Sequence, residues 1–195
     1  MQALQLLLVR HGQTEWNAAR RVLGRSDVPL DETGRAQALR LRTALPPVRA
    51  VYASPLSRAR ETAAVLGEPT LMDGLAEMDQ GELDGLDAAG LAARFGELAT
   101  RWRADPAGIR LPGGETMDEV QDRALLALRA IAARHAEGET VAVVTHQLVI
   151  SAVLCGLRSE PLSNWRSYQH RNTAWSHLHW CEPPEIVAID LAPHL

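Results

Sequence analysis

The stretch LQLLLVRHGQTEWN, Leu4 to Asn17, decides the fold. Leu4, Leu6, Leu7, Leu8 and Val9 form a short apolar run without alternation, the pattern of a strand buried on both faces. The run stops at Arg10-His11-Gly12, so the strand delivers polar side chains at its C-terminal end. In open α/β sheets ligands bind at that edge. Arg10 is a permanent cation, His11 a potential nucleophile or base, and Gly12 permits a tight turn. Thr14 and Asn17 add hydrogen-bonding groups.

The rest of the chain supplies partners for this corner. TVAVVT, Thr140 to Thr145, is a second buried strand, and it stops in the same way, at His146. A third short strand, Ala50 to Ser54, is followed by Ser54-Pro55, which reads as an N-cap with proline at the first helical position. Arg58 then falls in the first turn of the helix that follows. Helices are predicted from about Thr33 to the Pro46-Pro47 pair, from Ser54 to Leu66, and from the capping box Thr116-Met-Asp-Glu119 onward. Another follows over Leu148 to Leu154. A strand is expected at Thr70 to Met72. Ala174–Trp180 and Ile186–Leu191 pair as a hairpin through Glu182-Pro183-Pro184, which makes part of the sheet antiparallel. The segment Asp73 to Pro112 is the least regular, with short helices at Ala88–Phe95 and Glu97–Ala104. Strands alternating with helices predict an α/β fold, a three-layer αβα sandwich with a mixed, mostly parallel central sheet. The 195 residues suit a single domain, 1–195, with a substrate-covering insert at about 85–112.

Composition excludes several classes. A net charge of −4 argues against a protein that holds nucleic acid by general electrostatics. Every basic residue is arginine, so an anion site has to be built from Arg, His and backbone N–H groups. Cys155 and Cys181 fit no zinc spacing and read as free thiols. The N-terminal apolar run is too short to span a membrane and lacks a leader's basic start and cleavage site. The expectation is a soluble, cytoplasmic protein with no membrane and no nucleic-acid partner.

Two strands ending in His11 and His146 at one edge, with Arg10 and Arg58 nearby and two helix N-termini facing the same way, describe a phosphate pocket. Neighbouring cations favour the neutral, nucleophilic form of His11, which can attack phosphorus. The leaving oxygen then needs a proton. Glu77, in EMDQGELDG, is the candidate donor; Asp79, Glu82 and Asp84 are near rivals.

At this point the sequence resembles the histidine phosphatase superfamily, in its phosphoglycerate-mutase-like, phosphatase branch. The blocks that carry the resemblance are RHGQTEWN (10–17), SDVPLDETGRAQA (26–38), ASPLSRARETA (53–63), EMDQGELDG (77–85), PGGET (112–116) and VVTHQLVI (143–150). The resemblance implies a phosphoglycerate-mutase-like fold and phosphorylation of His11 during turnover. Arg10, Arg58 and His146 match the other phosphate-pocket positions, Asn17 a further phosphate-contacting one, and Glu77 the general acid and base. It implies no metal and no cofactor. Gln147 and Leu148 stand where many relatives have two glycines, and Leu23 precedes Gly24 where relatives often have a polar residue. Gly24 and Gln147, with Asn17, are therefore assigned to the substrate side.

The resulting expectation is a metal-independent phosphomonoesterase acting on a small phosphorylated metabolite. The alternatives are mutase-type phosphoryl transfer and a catalytically silent phospho-ligand binding protein. Selectivity is assigned to the loop bearing Arg20, Arg21 and Arg25 and to the insert, where Trp102 between Arg101 and Arg103 is a candidate for a lid. His177 and His179 share a strand face and read as a surface pair. The Trp-bearing C-terminal strands could form the edge of a homodimer.

Overall fold

The structure, a computed structural model, describes residues 3–195. Six strands form one sheet: β1 (Leu4–Arg10), β2 (Ala50–Ala53), β3 (Pro69–Leu71), β4 (Thr140–Thr145), β5 (Trp175–Trp180) and β6 (Glu185–Leu191). Their order across the sheet is β3-β2-β4-β1-β5-β6. The pairs β3/β2, β2/β4 and β4/β1 are parallel, whereas β1/β5 and β5/β6 are antiparallel. The main helices are α1 (Glu15–Ala18), α2 (Glu32–Ala44), α3 (Ser57–Ala64), α4 (Ala88–Ala104), α5 (Met117–Ala132) and α6 (Gln147–Leu157).

The unbroken apolar runs follow from having a core on each face. Along β1, Leu4, Leu6 and Leu8 enter one core and Leu7 and Val9 the other; β4 divides Val141 and Val143 from Ala142 and Val144 in the same way. The first core is closed by α4, α5 and α6, and the second by Leu41 and Leu45 beside α2 and by Ala59 and Ala63 of α3. Successive residues of a strand point to opposite faces, so a strand covered on both sides must be apolar at every position. The sheet lies between two helical layers, the predicted three-layer α/β architecture.

The capping box predicted at Thr116 forms, and two further caps accompany it. Thr116 and Glu119 make both bonds of a capping box at the start of α5, and Thr14 with Asn17 does the same for α1. A cap of this kind contributes about 1 kcal/mol. Asp31 caps α2 by accepting from Gly34 N–H at 2.7 Å. Gly34 has to be glycine, because a Cβ there would lie 2.0 Å from the Gln13 carbonyl oxygen, in the loop that carries His11.

The helix expected to start at Ser54 begins instead at Ser57, with Leu56 in the cap position and no side-chain cap bond. The Ser54 hydroxyl is engaged elsewhere, 2.7 Å from His146 Nε2. The two short helices expected at 88–95 and 97–104 run on as α4, kinked at Phe95 (φ −137°, ψ 25°). The third strand pairs over Pro69–Leu71, one residue earlier than expected at its start and end. No helix among the described residues is long and apolar enough to cross a membrane.

Candidate active site

Parallel pairing brings the two histidines together. Arg10 stands opposite Thr145 in the β1/β4 register, so His11 and His146 follow side by side, and His11 N–H donates to the Thr145 carbonyl at 3.0 Å. Their ring centroids are 5.1 Å apart. Both side chains are buried.

Hydrogen bonding sets the tautomer of His11. Nδ1 lies 2.6 Å from the Gly12 carbonyl oxygen, which can only accept, so Nδ1 carries the proton. In the neutral ring Nε2 then holds a lone pair, and among the described residues it has no partner. Burial, then Arg58, then Arg10 hold the imidazole well below its usual pKa. His146 is lowered in the same sense, again first by burial and then by Arg58. Ser54 Oγ accepts from Leu56 N–H at 3.3 Å, which frees its own proton for His146 Nε2. That assignment makes His146 Nδ1 an N–H donor.

Both arginines are held through backbone carbonyls. Arg58 is fully buried and donates to Ser26 O at 2.8 Å and Gly24 O at 2.7 Å. Arg10 Nη1 donates to His170 O at 2.5 Å. Burial pushes the Arg10 guanidinium down to about 10, partly offset by Glu77 and Asp190, which leaves it cationic at neutral pH. Arg10 Nε, Arg58 Nε and His146 Nδ1 are each buried without a partner among the described residues. An unpaired buried polar group costs about 1–3 kcal/mol. Three such groups, on residues near the His11 imidazole, are donors that an anion would satisfy.

Glu77 sits between β3 and α4. Its Oε1 accepts from Met78 N–H at 2.9 Å and its Oε2 from Leu148 N–H, in the first turn of α6, at 3.4 Å. Burial raises its pKa above the usual carboxylate value, against these hydrogen bonds and Arg58. The rival acids are engaged elsewhere. Asp84 accepts from Gly24 and Ser26 N–H, Asp79 accepts from Gly81 N–H, and Glu82 pairs with Arg94 at 3.4 Å. Arg123 fixes the backbone around Glu77 by donating to Gly74 O, Ala76 O and Glu77 O while pairing with Glu115.

A cavity of about 500 Å³ opens from this corner, with Arg10, His11, Asn17, Glu77 and Gln147 in its lining. Gly24 is not part of that lining; its carbonyl holds Arg58 from behind. Asn17 is partly committed to the α1 capping box. The Gln147 side chain turns away toward the 168–170 segment, donating to Ser151 Oγ and Tyr168 O and accepting from His170 N–H. Gln147 thereby steadies the carbonyl that holds Arg10.

Trp102 and Leu91 of α4 line the far wall with Trp165. Of the strand pair His177/His179, the first is bonded to Gln5 and the second lies 3.4 Å from Glu185. Cys155 is buried and Cys181 exposed, and both are free thiols. Ser54, Arg123, His170 and Trp165 were not singled out from sequence for this site. Ser54 was visible only as a helix-start signal, and the other three carry no local pattern.

The sequence matches the histidine phosphatase superfamily (branch 1) over residues 6–187, and the chain belongs to that superfamily. It is 30% identical over 200 residues to phosphoserine phosphatase 1 of Hydrogenobacter thermophilus, covering 98% of this chain and 94% of the relative. It is 38% identical over 167 residues to 2,3-bisphosphoglycerate-dependent phosphoglycerate mutase 2 of Gloeobacter violaceus, covering 78% of this chain and 74% of that one. Among solved structures it is similar to Bacillus stearothermophilus YhfR, with a TM-score of 0.91, 30% identity, and coverage of 98% and 99% of the two chains.

Proposed function

We propose that the protein is a metal-independent phosphomonoesterase that works through a phosphohistidine on His11. The observation that carries this reading is a buried His11 with its Nδ1 proton on Gly12 O and no partner at Nε2, beside His146 and under the charge of Arg58 and Arg10, whose Nε atoms, like His146 Nδ1, are unpartnered among the described residues. In the first step Nε2 attacks phosphorus and the bond to the leaving oxygen breaks. The Glu77 carboxylic acid gives its proton to that oxygen, releasing an alcohol. Arg10, Arg58 and His146 stabilise charge spread over the equatorial oxygens. In the second step Glu77, now a carboxylate, takes a proton from water as the water oxygen attacks phosphorus. The P–N bond breaks, releasing phosphate and restoring neutral His11 and protonated Glu77.

The pKa shifts suit this cycle. Unperturbed, an imidazole titrates near about 6.5 and a glutamate near about 4.3, so a neutral histidine and a protonated glutamate would rarely coexist. Burial moves the two groups toward each other. Brief incubation with a ³²P-labelled ester, quenched in alkali, should trap label on the wild-type chain and none on His11→Ala. Phosphate release by His11→Ala should fall on the order of 10³–10⁶-fold. EDTA should change nothing. Label persisting on His11→Ala, or activity that needs added metal, would end this reading.

The similarity to a phosphoglycerate mutase supports a second reading, in which the phosphoryl group returns to substrate instead of passing to water. Following phosphate release and isomerisation of a phosphoglycerate in one reaction separates the two. Isomerisation with negligible release would favour the mutase.

A further inference from the structure

The part of the cavity beyond the phosphate corner has an uneven charge. Arg20, Arg21, Arg103 and Arg166 line it, whereas the one carboxylate in its lining is Glu77, at the corner. None of these four arginines has a carboxylate within 4.0 Å among the described residues. All four are exposed, and local contacts orient two of them, Arg21 and Arg166. Arg166 lies over the Trp165 ring at 4.7 Å from its centroid and donates to Arg103 O at 2.5 Å, tying the 162–168 segment to the end of α4. Arg21 lies over Trp16 at 6.0 Å. Arg20 follows α1 in the left-handed region, at φ 54°, where glycine would be free of strain. The same cavity is lined by the apolar side chains of Leu91, Leu111, Trp102 and Trp165.

Resting on the phosphomonoesterase reading, we propose that the leaving alcohol has an apolar body carrying a second anionic group at its far end, and no ammonium group. The phosphate enters the corner, the body lies along the leucine and tryptophan wall, and the distal anion meets the arginine rim. A substrate with an ammonium group would meet unpaired cations there and no carboxylate to receive it. A carboxylate and a second phosphate would both satisfy the planar guanidinium forks.

Four aryl phosphates of matched shape test this. Their para substituents are carboxymethyl, phosphonomethyl, carbamoylmethyl and 2-aminoethyl. The rate of phosphate release gives kcat/KM for each, and calorimetry gives Kd for the hydrolysis-resistant benzylphosphonate analogues. The expected order places both anionic compounds above the amide, by about fivefold or ~1 kcal/mol, and the amine last. The larger of the two anionic values identifies the anion preferred. Raising salt should narrow the spread. In Arg103→Gln and Arg166→Gln the ratio of anionic to amide compound should fall toward one in both assays. Equal values across the series, or a ratio that survives both substitutions, would overturn the proposal. Selective Kd values without phosphate release would instead keep the anion site and sink the phosphatase reading.

Discussion

The two ends of the cavity are built differently. The phosphate corner is made at the ends of central, parallel strands. His11, Arg58, Glu77 and His146 are buried there, and carbonyls, amides and hydroxyls orient them. The opposite wall comes from the kinked helix α4 and the 162–168 segment, and the arginines on it are exposed. Side chains at the corner are fixed by the register of the sheet, which cannot slip by one residue without turning a buried face outward. Side chains on the wall are fixed by a few local contacts. The corner can therefore hold one geometry for one chemistry, while the wall can change with the leaving group. Substitutions at the corner should scale all esters together, whereas substitutions on the wall should change the ratio between esters.

Glu77→Gln puts this division under the greatest load. It removes the proposed proton donor and base and keeps an acceptor oxygen for only one of the Met78 and Leu148 N–H groups. Hydrolysis of an alkyl phosphate should fall about 10²–10⁴-fold. The fall should be smaller for 4-nitrophenyl phosphate, whose leaving group needs little help from an acid. The opposite order would remove Glu77 from the first step. Here the leaving group's acidity should matter and its shape should not.

The pH profile sharpens the same point. The proposed first step needs a neutral His11, and its pKa is depressed, so kcat/KM should hold as pH falls through the ordinary imidazole range and drop only below it. Glu77 has to be protonated for the first step and its pKa is raised, so the loss on the basic side should begin above the ordinary carboxylate range. With an alkyl ester the basic limb should disappear in Glu77→Gln. A limb unchanged by that substitution would belong to another group, such as the substrate phosphate.

The corner was more legible in the sequence than the wall, for the same physical reason. The runs LLLV before Arg10 and VAVV before Thr145 mark strands buried on both faces, and two such strands in parallel place His11 beside His146. Glu77 stood out among four acids, but only folding showed Asp79, Glu82 and Asp84 bonded elsewhere. Ser54 signalled a helix start because its real partner lies 92 residues away, and no local pattern encodes that bond. Arg123 carries no local signal, because the three carbonyls it meets lie 46 to 49 residues earlier in the chain. Gln147 was assigned to the substrate side and lines the cavity, and its bonds to Ser151, Tyr168 and His170 carry no local sequence signal. α4 was read as two short helices, 88–95 and 97–104; Leu91, Ala99 and Trp102 lie in one core on both sides of the kink at Phe95, and that continuity has no local sequence signal.

Gln147 connects the two regions and gives a smaller effect. Gln147→Ala frees the His170 amide and loosens the carbonyl that orients Arg10, so about three- to tenfold of kcat/KM should be lost with every ester alike. Inhibition by inorganic phosphate should weaken in parallel. Gln147→Glu keeps the acceptor for His170 N–H and should recover part of the loss. A general loosening of the fold would instead lower the melting temperature of both variants without that recovery.

The smallest effect should come from the wall. Trp102 packs against Trp165 with ring centroids 5.4 Å apart, and its indole N–H is buried without a partner among the described residues. Trp102→Phe keeps an aromatic face, removes that N–H and leaves a small gap beside the leaving group. The ratio of kcat/KM for an aryl phosphate to that for a short alkyl phosphate should shift by about two- to fivefold, the size expected for one or two buried carbon groups. The basic limb of the pH profile should stay in place, because nothing that touches Glu77 has moved. If Trp102→Phe slowed both esters equally, or displaced that limb, α4 would be acting on the chemistry itself, and the division between a fixed corner and an adjustable wall would fail.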